Sequence, residues 1–174
     1  MFKRQKNIKK SANDFINLWD TDFDDIWNID DKNKLLIALD GWLCKKCKYG
    51  ENIKKLSKEE KSFYFIFQLE REVNNGGFLQ FFFNDSGDSA NDTAAALREI
   101  GAEKTAKICD RALAPFGGTV SNNRDERITM LNNTFTDEIS EIFSQCDKDF
   151  YKYADDLVDL NYQFIMKNKN HFTR

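Results

Sequence analysis

The chain contains one proline and eight glycines among its 174 residues, so few positions force the backbone to break. Residues that favour helices, such as leucine, alanine, lysine and glutamate, are abundant. The hydrophobic fraction is 41%, which is enough to bury a core, and sixteen phenylalanines make that core aromatic. We therefore predict an all-α fold, with residues 1–174 forming a single compact multi-helix domain.

Long apolar runs are also absent. No run approaches the roughly 20 residues that a membrane span needs. The basic N-terminus, residues 1–6, is not followed by the apolar stretch of a signal peptide. Four cysteines without a secretion signal indicate free thiols in a reducing compartment. These observations predict a cytoplasmic protein.

Histidine is nearly missing, since His171 in the C-terminal tail is the only one. Nucleophilic and general-base catalysis needs a histidine, or a cysteine near one. Glu70 and Glu72 form a carboxylate pair, but they face different sides of a helix. The sequence contains no phosphate-binding loop, dinucleotide fingerprint or zinc-protease motif. We therefore predict that the chain is not an enzyme, has no catalytic residues and uses no cofactor.

Capping residues and apolar spacing place the helices. Ser57 and Glu60 form a capping box that opens a helix running through Val73, and its phenylalanines crowd more than one face. This helix is therefore expected to be central and buried. The segment Asn74–Gly77 ends it, and residues 78–84 form a short aromatic helix or, as the competing interpretation, a buried strand.

Other helices are expected on both sides of this segment. Short ones are capped by Ser11 and by Thr21 or Asp22, and one runs from residues 30–31 to Gly50. Thr136 caps another. Further helices are predicted at residues 92–100, 102–114, 125–131 and about 147–166. The tails, residues 1–10 and 167–174, are expected to fray.

The window from Asn74 to Gly87 reads Asn-Asn-Gly-Gly-Phe-Leu-Gln-Phe-Phe-Phe-Asn-Asp-Ser-Gly. Together with residues 97–102 and 114–118, it resembles the bacterial DNA-mimic protein family, whose domain was long of unknown function. The signature of that family is an Asn-Gly-Gly-Phe segment followed by glutamine, an aromatic residue and Asn-Ser-Gly. The resemblance covers about residues 60–165. The matching residues of the motif are Asn75, Gly76, Gly77, Phe78, Gln80, Asn84 and Gly87.

The resemblance implies an all-helical, cytosolic, non-enzymatic protein. A characterised relative is a dimer whose surface carboxylates imitate duplex phosphates and occupy the DNA-binding face of a transcription factor. By this resemblance the partner is a protein, such as a DNA-binding transcription factor, and the chain forms a homodimer. Neither a membrane nor direct contact with nucleic acid is expected.

Within the motif, Gln80 and Asn84 lie four residues apart and share one helical face. The structural interpretation is a buried amide pair that bonds the backbone of the Asn74–Gly77 turn, because buried backbone groups need partners. The functional alternative is a polar pair in a pocket.

The net charge of −3 conceals separate acidic and basic blocks. Residues 13–31 carry seven aspartates and no base, and residues 137–159 carry eight acidic residues. Duplex DNA presents one charge per roughly 1.7 Å, and carboxylates spaced three or four residues apart on a helix form a comparable ridge. The alternative is a solvated face whose acids offset helix dipoles. The candidate partner-binding surface consists of Asp22, Asp24, Asp25, Asp149, Asp155, Asp156 and Asp159.

Two further alternatives remain open. Lysines 45, 46 and 48, with those at 54, 55 and 58, would contact nucleic acid through phosphates in a direct nucleic-acid-binding protein. Cys44-Lys-Lys-Cys47 has the spacing of a metal clip or a redox pair, which leaves a metal-dependent protein of unknown activity. A structural zinc site needs four ligands, and the remaining cysteine and histidine donors are Cys109, Cys146 and His171. No metal site is predicted.

Overall fold

The computed structural model describes residues 17–174, and no strand lies in this range. The predicted all-α class is confirmed. The N-terminal helix that Ser11 was predicted to cap falls largely outside the described residues. The helices are α1 (Phe23–Ile26), α2 (Lys32–Lys46), α3 (Lys58–Phe83), α4 (Ala90–Glu99), α5 (Glu103–Leu113), α6 (Arg124–Thr134), α7 (Asp137–Phe150) and α8 (Leu157–Lys167).

Side-chain caps start most of the long helices where the sequence predicts them. The Ser57 hydroxyl accepts from the Glu60 backbone N–H at 3.1 Å, and the Glu60 carboxylate accepts from the Ser57 N–H at 2.8 Å. At α7 the Thr136 hydroxyl accepts from the Ile139 N–H at 3.3 Å, without a reciprocal bond. These bonds satisfy amides that the first helical turn leaves without partners. At α1, Asp22, one of the two predicted capping residues, occupies the N-cap position, but its side chain makes no capping hydrogen bond.

Helix α3 is the central element and contributes to two hydrophobic cores. Phe63 packs with α1, α2 and the C-terminal residues, and is 0% exposed. Leu69 and Phe82 belong to the second core, formed with α4 to α7. The Phe82 ring stacks on Phe143 with a centroid distance of 5.5 Å. The prediction of a central buried helix is confirmed.

The C-terminal third differs from the sequence prediction. One helix was expected from about residue 147 to 166, but α7 ends at Phe150 and α8 begins at Leu157. Between them, Tyr153 has a φ of 46°. The Asp155 carboxylate accepts from the Thr105 N–H at 2.8 Å and so caps α5, which draws this segment out of the helical path.

Two further ends also differ. Helix α2 stops at Lys46 rather than near Gly50, because Lys48 and Tyr49 adopt left-handed backbone angles. In place of the expected frayed C-terminal tail, Phe172 is 3% exposed and packs in the core. The Thr173 N–H donates to Glu60, and Lys46 donates to the Thr173 carbonyl. These hydrogen bonds connect Thr173 to the start of α3 and to the end of α2.

Arg127, for which no sequence pattern predicts a role, lies on α6 and is 0% exposed. Its guanidinium donates to three backbone carbonyls, those of Phe82 at 2.7 Å and of Asn84 and Ser121 at 2.8 Å each. It also pairs with Asp88 at 2.8 Å. A buried carbonyl without a donor is costly, so one side chain satisfies the end of α3 and the loop before α6.

We expect Arg127→Leu to lower the free energy of unfolding by about 3–5 kcal/mol, because one buried and two partly buried carbonyls lose the guanidinium as a donor. Urea unfolding followed by circular dichroism measures the loss.

The matched control is Arg124→Leu. Arg124 lies on the same helix with a side chain that is 46% exposed, and it donates to the Phe83 carbonyl at 2.9 Å. Because water replaces this donor, we expect a loss of about 1 kcal/mol or less. Equal losses for the two variants would contradict the role given to Arg127.

Candidate functional site

The motif glycines produce a kink within α3. Gly76 has φ −159° and ψ 23°, and Gly77 has φ 75° and ψ −176°. The angles of Gly77 fall in a region that is essentially restricted to glycine. The helix resumes at Phe78 and continues to Phe83, so the predicted short aromatic helix is observed and the competing strand is not.

Asp147 of α7 caps the aromatic segment that follows the kink. Its Oδ1 accepts from the Phe78 N–H at 2.8 Å. A Cβ atom on Gly77 would lie 2.3 Å from Asp147 Oδ2, so the glycine is required for the close approach as well as for its backbone angles. Burial raises the pKa of Asp147, and the bond from the Phe78 N–H acts in the opposite direction.

Glu72 binds the two motif amides. Gln80 Nε2 and Asn84 Nδ2 both donate to Glu72 Oε2, at 2.7 and 2.8 Å. Asn75 Nδ2 donates in turn to Gln80 Oε1 at 3.1 Å. The interpretation that the amides bond the backbone of the glycine turn is therefore wrong: they hold a carboxylate across the kink, and both residues are partly exposed.

Glu72 and Asn84 line a cavity of about 680 Å³, which we call the motif cavity. Its walls come from the loop after α2, the middle of α3 and the segment between α3 and α4. One basic side chain lines it, that of Arg124. The functional alternative was a polar pair in a pocket. Asn84 lines the motif cavity, whereas Gln80 does not and is connected to it by its hydrogen bond to Glu72. The carboxylates of the motif cavity are Glu51, Glu72, Asp85, Asp88 and Asp92.

The predicted acidic surface falls into two groups. Asp22, Asp24 and Asp25 are exposed around α1 and line a cavity of about 1,050 Å³ together with Lys45 and Lys46, at the C-terminal end of α2. In this first group, Asp24 forms an ion pair with Arg174 of the C-terminal tail.

The second group surrounds the turn between α7 and α8. Asp159 pairs with Lys32 at the first turn of α2. The 15 residues of α2 span about 21 Å, so Asp159 and the first group lie near opposite ends of this helix.

Several members of the second group have internal partners. Asp149 accepts from Lys152 at 2.6 Å and from Arg111 at 2.5 Å, which lowers its pKa to about 2. Asp155 caps α5, and Asp156 caps α8 by accepting from the Asp159 N–H at 3.0 Å. Most of the carboxylates at this turn therefore cap helices or form ion pairs within the chain.

Three of the six lysines in the lysine blocks form ion pairs with other described residues. Lys45 pairs with Asp20 at 2.6 Å and Lys46 with Glu60 at 2.7 Å, while Lys58 pairs with Glu99 at 2.6 Å. A face that binds nucleic acid keeps such cations available for phosphates. The described structure thus does not favour the alternative of direct nucleic-acid binding.

The described part of the chain is more acidic than the whole. Five of the 26 basic residues, but only one of the 29 acidic residues, lie within residues 1–16. Residues 17–174 consequently carry 21 basic and 28 acidic side chains, a formal net charge of −7.

Cys44 and Cys47 are both buried thiols. Burial, followed by the nearby Asp40 carboxylate, raises the pKa of Cys44 to about 12. A thiol in this state is neither a nucleophile nor a ready metal ligand. Across residues 17–174, no three histidine, cysteine or acidic side chains are grouped so that they could hold a metal ion.

The fold and its polar surfaces define an all-α protein rich in surface carboxylates, in which the charged groups of the interior act as caps and ion pairs. Residues 54–168 match the model of the DMP19-like protein family, and the chain belongs to this family, a family of DNA mimics. The match agrees with the extent predicted from the sequence, about residues 60–165, but it does not test the Asn-Gly-Gly-Phe signature.

The curated proteins contain no significant match to the chain, and the solved structures contain none. Among residues 17–174, none of the helices combines the length and the apolar character that crossing a membrane requires.

A pH dependence follows from Asp40, which is 1% exposed and pairs with Arg71 at 2.7 Å. Burial raises its pKa from an ordinary value of 3.8 to about 6. The folded state therefore holds the Asp40 proton more tightly than the unfolded state does. The stability that this protonation contributes is present at low pH and is lost as the pH rises through 6. As the pH rises from 4 to 7, we expect the free energy of unfolding of the wild type to fall by about 3 kcal/mol relative to that of Asp40→Asn, as measured by urea unfolding. A constant difference over this range would contradict the assignment.

The close approach at the kink is tested by Gly77→Ala. We expect it to lower the free energy of unfolding by about 3 kcal/mol, because the methyl group adds backbone strain and displaces the Asp147 cap. Gly118→Ala is the control, since Gly118 also has a positive φ, 87°, but a Cβ there meets no atom within 4 Å. Its expected loss is about 1 kcal/mol. Chemical denaturation compares the two, and a Gly77→Ala loss no larger than that of the control would refute the close approach.

Proposed function

We propose that this protein binds a DNA-binding protein, such as a transcription factor, through surface carboxylates that take the place of duplex phosphates. It acts by occupying the partner's DNA-binding face and not by catalysis. The observation that carries the proposal is membership of the DMP19-like family over residues 54–168.

The charge distribution supports this proposal. A DNA-binding face presents lysine and arginine matched to phosphates, so its imitator needs an excess of exposed acids. Residues 17–174 have that excess, with a net charge of −7. The positive charge of residues 45–58, which would repel such a partner, is reduced by the ion pairs of Lys45, Lys46 and Lys58.

The seven predicted aspartates remain the proposed contact surface, and we order them by their exposure and by their internal bonds. Asp22 and Asp25 are exposed and form no ion pair with another described residue. We assign them the main contact, together with the neighbouring Asp24. Asp156 and Asp159, near the other end of α2, supply a second contact about 21 Å away. All four aspartates of the second group contribute less than Asp22 and Asp25, because their oxygens already accept internal bonds.

We also propose that the protein is cytoplasmic and forms a homodimer, as its resemblance to a dimeric DNA mimic implies. Two copies present their acidic groups twice, which suits a partner that binds DNA as a symmetric dimer. Analytical ultracentrifugation of the full chain decides the oligomeric state.

The proposal is tested by affinity capture from the source cell with the tagged full chain. We expect a DNA-binding protein to be retained and its affinity for the chain to fall as salt rises, because screening weakens contacts between exposed charges. Asp22→Asn combined with Asp25→Asn is expected to weaken binding about threefold to tenfold and to reduce the salt dependence.

Glu141→Gln is the matched control, since Glu141 is an exposed acid on α7 outside both acidic groups. It is expected to leave the affinity unchanged. Retention of no DNA-binding protein, or an affinity independent of salt, would overturn the proposal.

A further inference from the structure

The motif cavity has features that the proposed acidic surface does not use. Tyr49, Tyr64 and Phe65 form aromatic walls beside its five carboxylates. Tyr49 is 63% exposed, and its backbone has a φ of 56°. This left-handed conformation is uncommon for a bulky residue and holds the ring at the edge of the cavity.

The charge of the cavity is only partly neutralised from within. Asp85 and Asp88 pair with Arg124 and Arg127. Glu72 receives two amide donors on Oε2, and within residues 17–174 no bond is made to its Oε1. In the same range, Glu51 and Asp92 are exposed and form no ion pair. Three carboxylates thus face the cavity without a cationic partner.

A buried hydroxyl adds an independent sign of a missing ligand. Ser86 lines the cavity, and its Oγ is buried with no hydrogen-bond partner in the described chain. Buried polar atoms are nearly always paired, so this oxygen is suited to accept a donor brought by a bound group.

The shape of the region indicates a chain segment as the occupant. A second cavity of about 740 Å³ shares the wall residues Ile53, Phe65 and Asp92 with the motif cavity, but it is also lined by Lys58, Lys61 and Arg98 and so does not suit a cationic side chain. The motif cavity alone, at about 680 Å³, is large enough for a long side chain and the backbone that carries it, and far larger than a single small cation needs.

We propose that the motif cavity binds an arginine side chain presented by the protein partner. A guanidinium provides planar donors that match the Glu72 and Asp92 carboxylates, and its face stacks on an exposed aromatic ring such as that of Tyr49. On DNA the same side chain donates to the acceptors of guanine in the major groove. The cavity therefore presents hydrogen-bond acceptors to an arginine, as the edge of a guanine base does. The inference rests on the proposed function only in that a basic partner supplies the arginine.

The test uses the full chain and two blocked tripeptides, Gly-Arg-Gly and the same peptide with neutral citrulline in place of arginine. In NMR titrations we expect the arginine peptide to shift the side-chain amide signals of Gln80 and Asn84 and the backbone signals of residues 84–92, with saturation. The citrulline peptide, which keeps the shape without the charge, is expected to bind at least about tenfold more weakly.

Variants locate the site. Asp92→Asn changes an exposed residue and is therefore expected to fold normally, and Glu72→Gln keeps an acceptor for the two amides. Each is expected to weaken the arginine peptide about threefold, and the pair about tenfold. Glu141→Gln, outside the cavity, is expected to have no effect. Equal binding of the two peptides, shifts spread over all acidic surfaces, or unchanged binding in the double variant would overturn the inference.

Partner capture separates this inference from the proposed function. If the double variant loses the peptide but retains the DNA-binding partner at full affinity, the cavity is not the partner's contact and the inference fails while the proposed function stands. If the wild type binds the arginine peptide and captures no DNA-binding protein, the proposed function fails and the arginine site remains. Loss of both peptide and partner in the double variant supports the inference.

Discussion

Arg127 reaches from α6 to the carbonyls of Phe82 and Asn84, and the geometry around the motif cavity depends on this buried guanidinium. It closes the C-terminal end of the aromatic segment, while Asp147 closes the N-terminal end at Phe78. A Cβ atom on Gly87 would lie 2.7 Å from Arg127 Nε, so this motif glycine makes room for the guanidinium. Two charged side chains from separate helices therefore hold six residues of α3 in a fixed orientation after the kink.

The same chain uses its acids in two ways. Glu60, Asp155 and Asp147 accept backbone or ammonium donors and stabilise helix starts. Glu51, Asp92, Asp22 and Asp25 face solvent and form no ion pair with another described residue. Because the oxygens of the buried and capping carboxylates already accept hydrogen bonds, the second set is the one that we propose to make the main contact with a basic protein. This division explains how a chain with a net charge of −3 presents acidic surfaces.

Local signals predicted much of the fold, because caps and glycine breaks act within a few residues. The Ser57 box, the Thr136 cap and the break at Gly76–Gly77 all lie where the sequence indicated. The end of α7 was missed, since Asp155 acts on Thr105, fifty residues away. The motif cavity was missed for the same reason: Glu51, Glu72 and Asp92 come from separate segments, and spacing along the chain cannot bring them together. The one sequence feature that pointed to this cavity was the spacing of Gln80 and Asn84, which allowed a polar pair in a pocket.

The most direct test of DNA mimicry is displacement of DNA from the captured partner. A fluorescent duplex bound to that protein has a high anisotropy, which we expect to fall to the value of the free duplex as the chain is added. The fall should follow simple competition, because both ligands would occupy one basic face. An anisotropy that stays constant or rises while the chain binds would mean that the partner holds both at once, and this result would contradict the account.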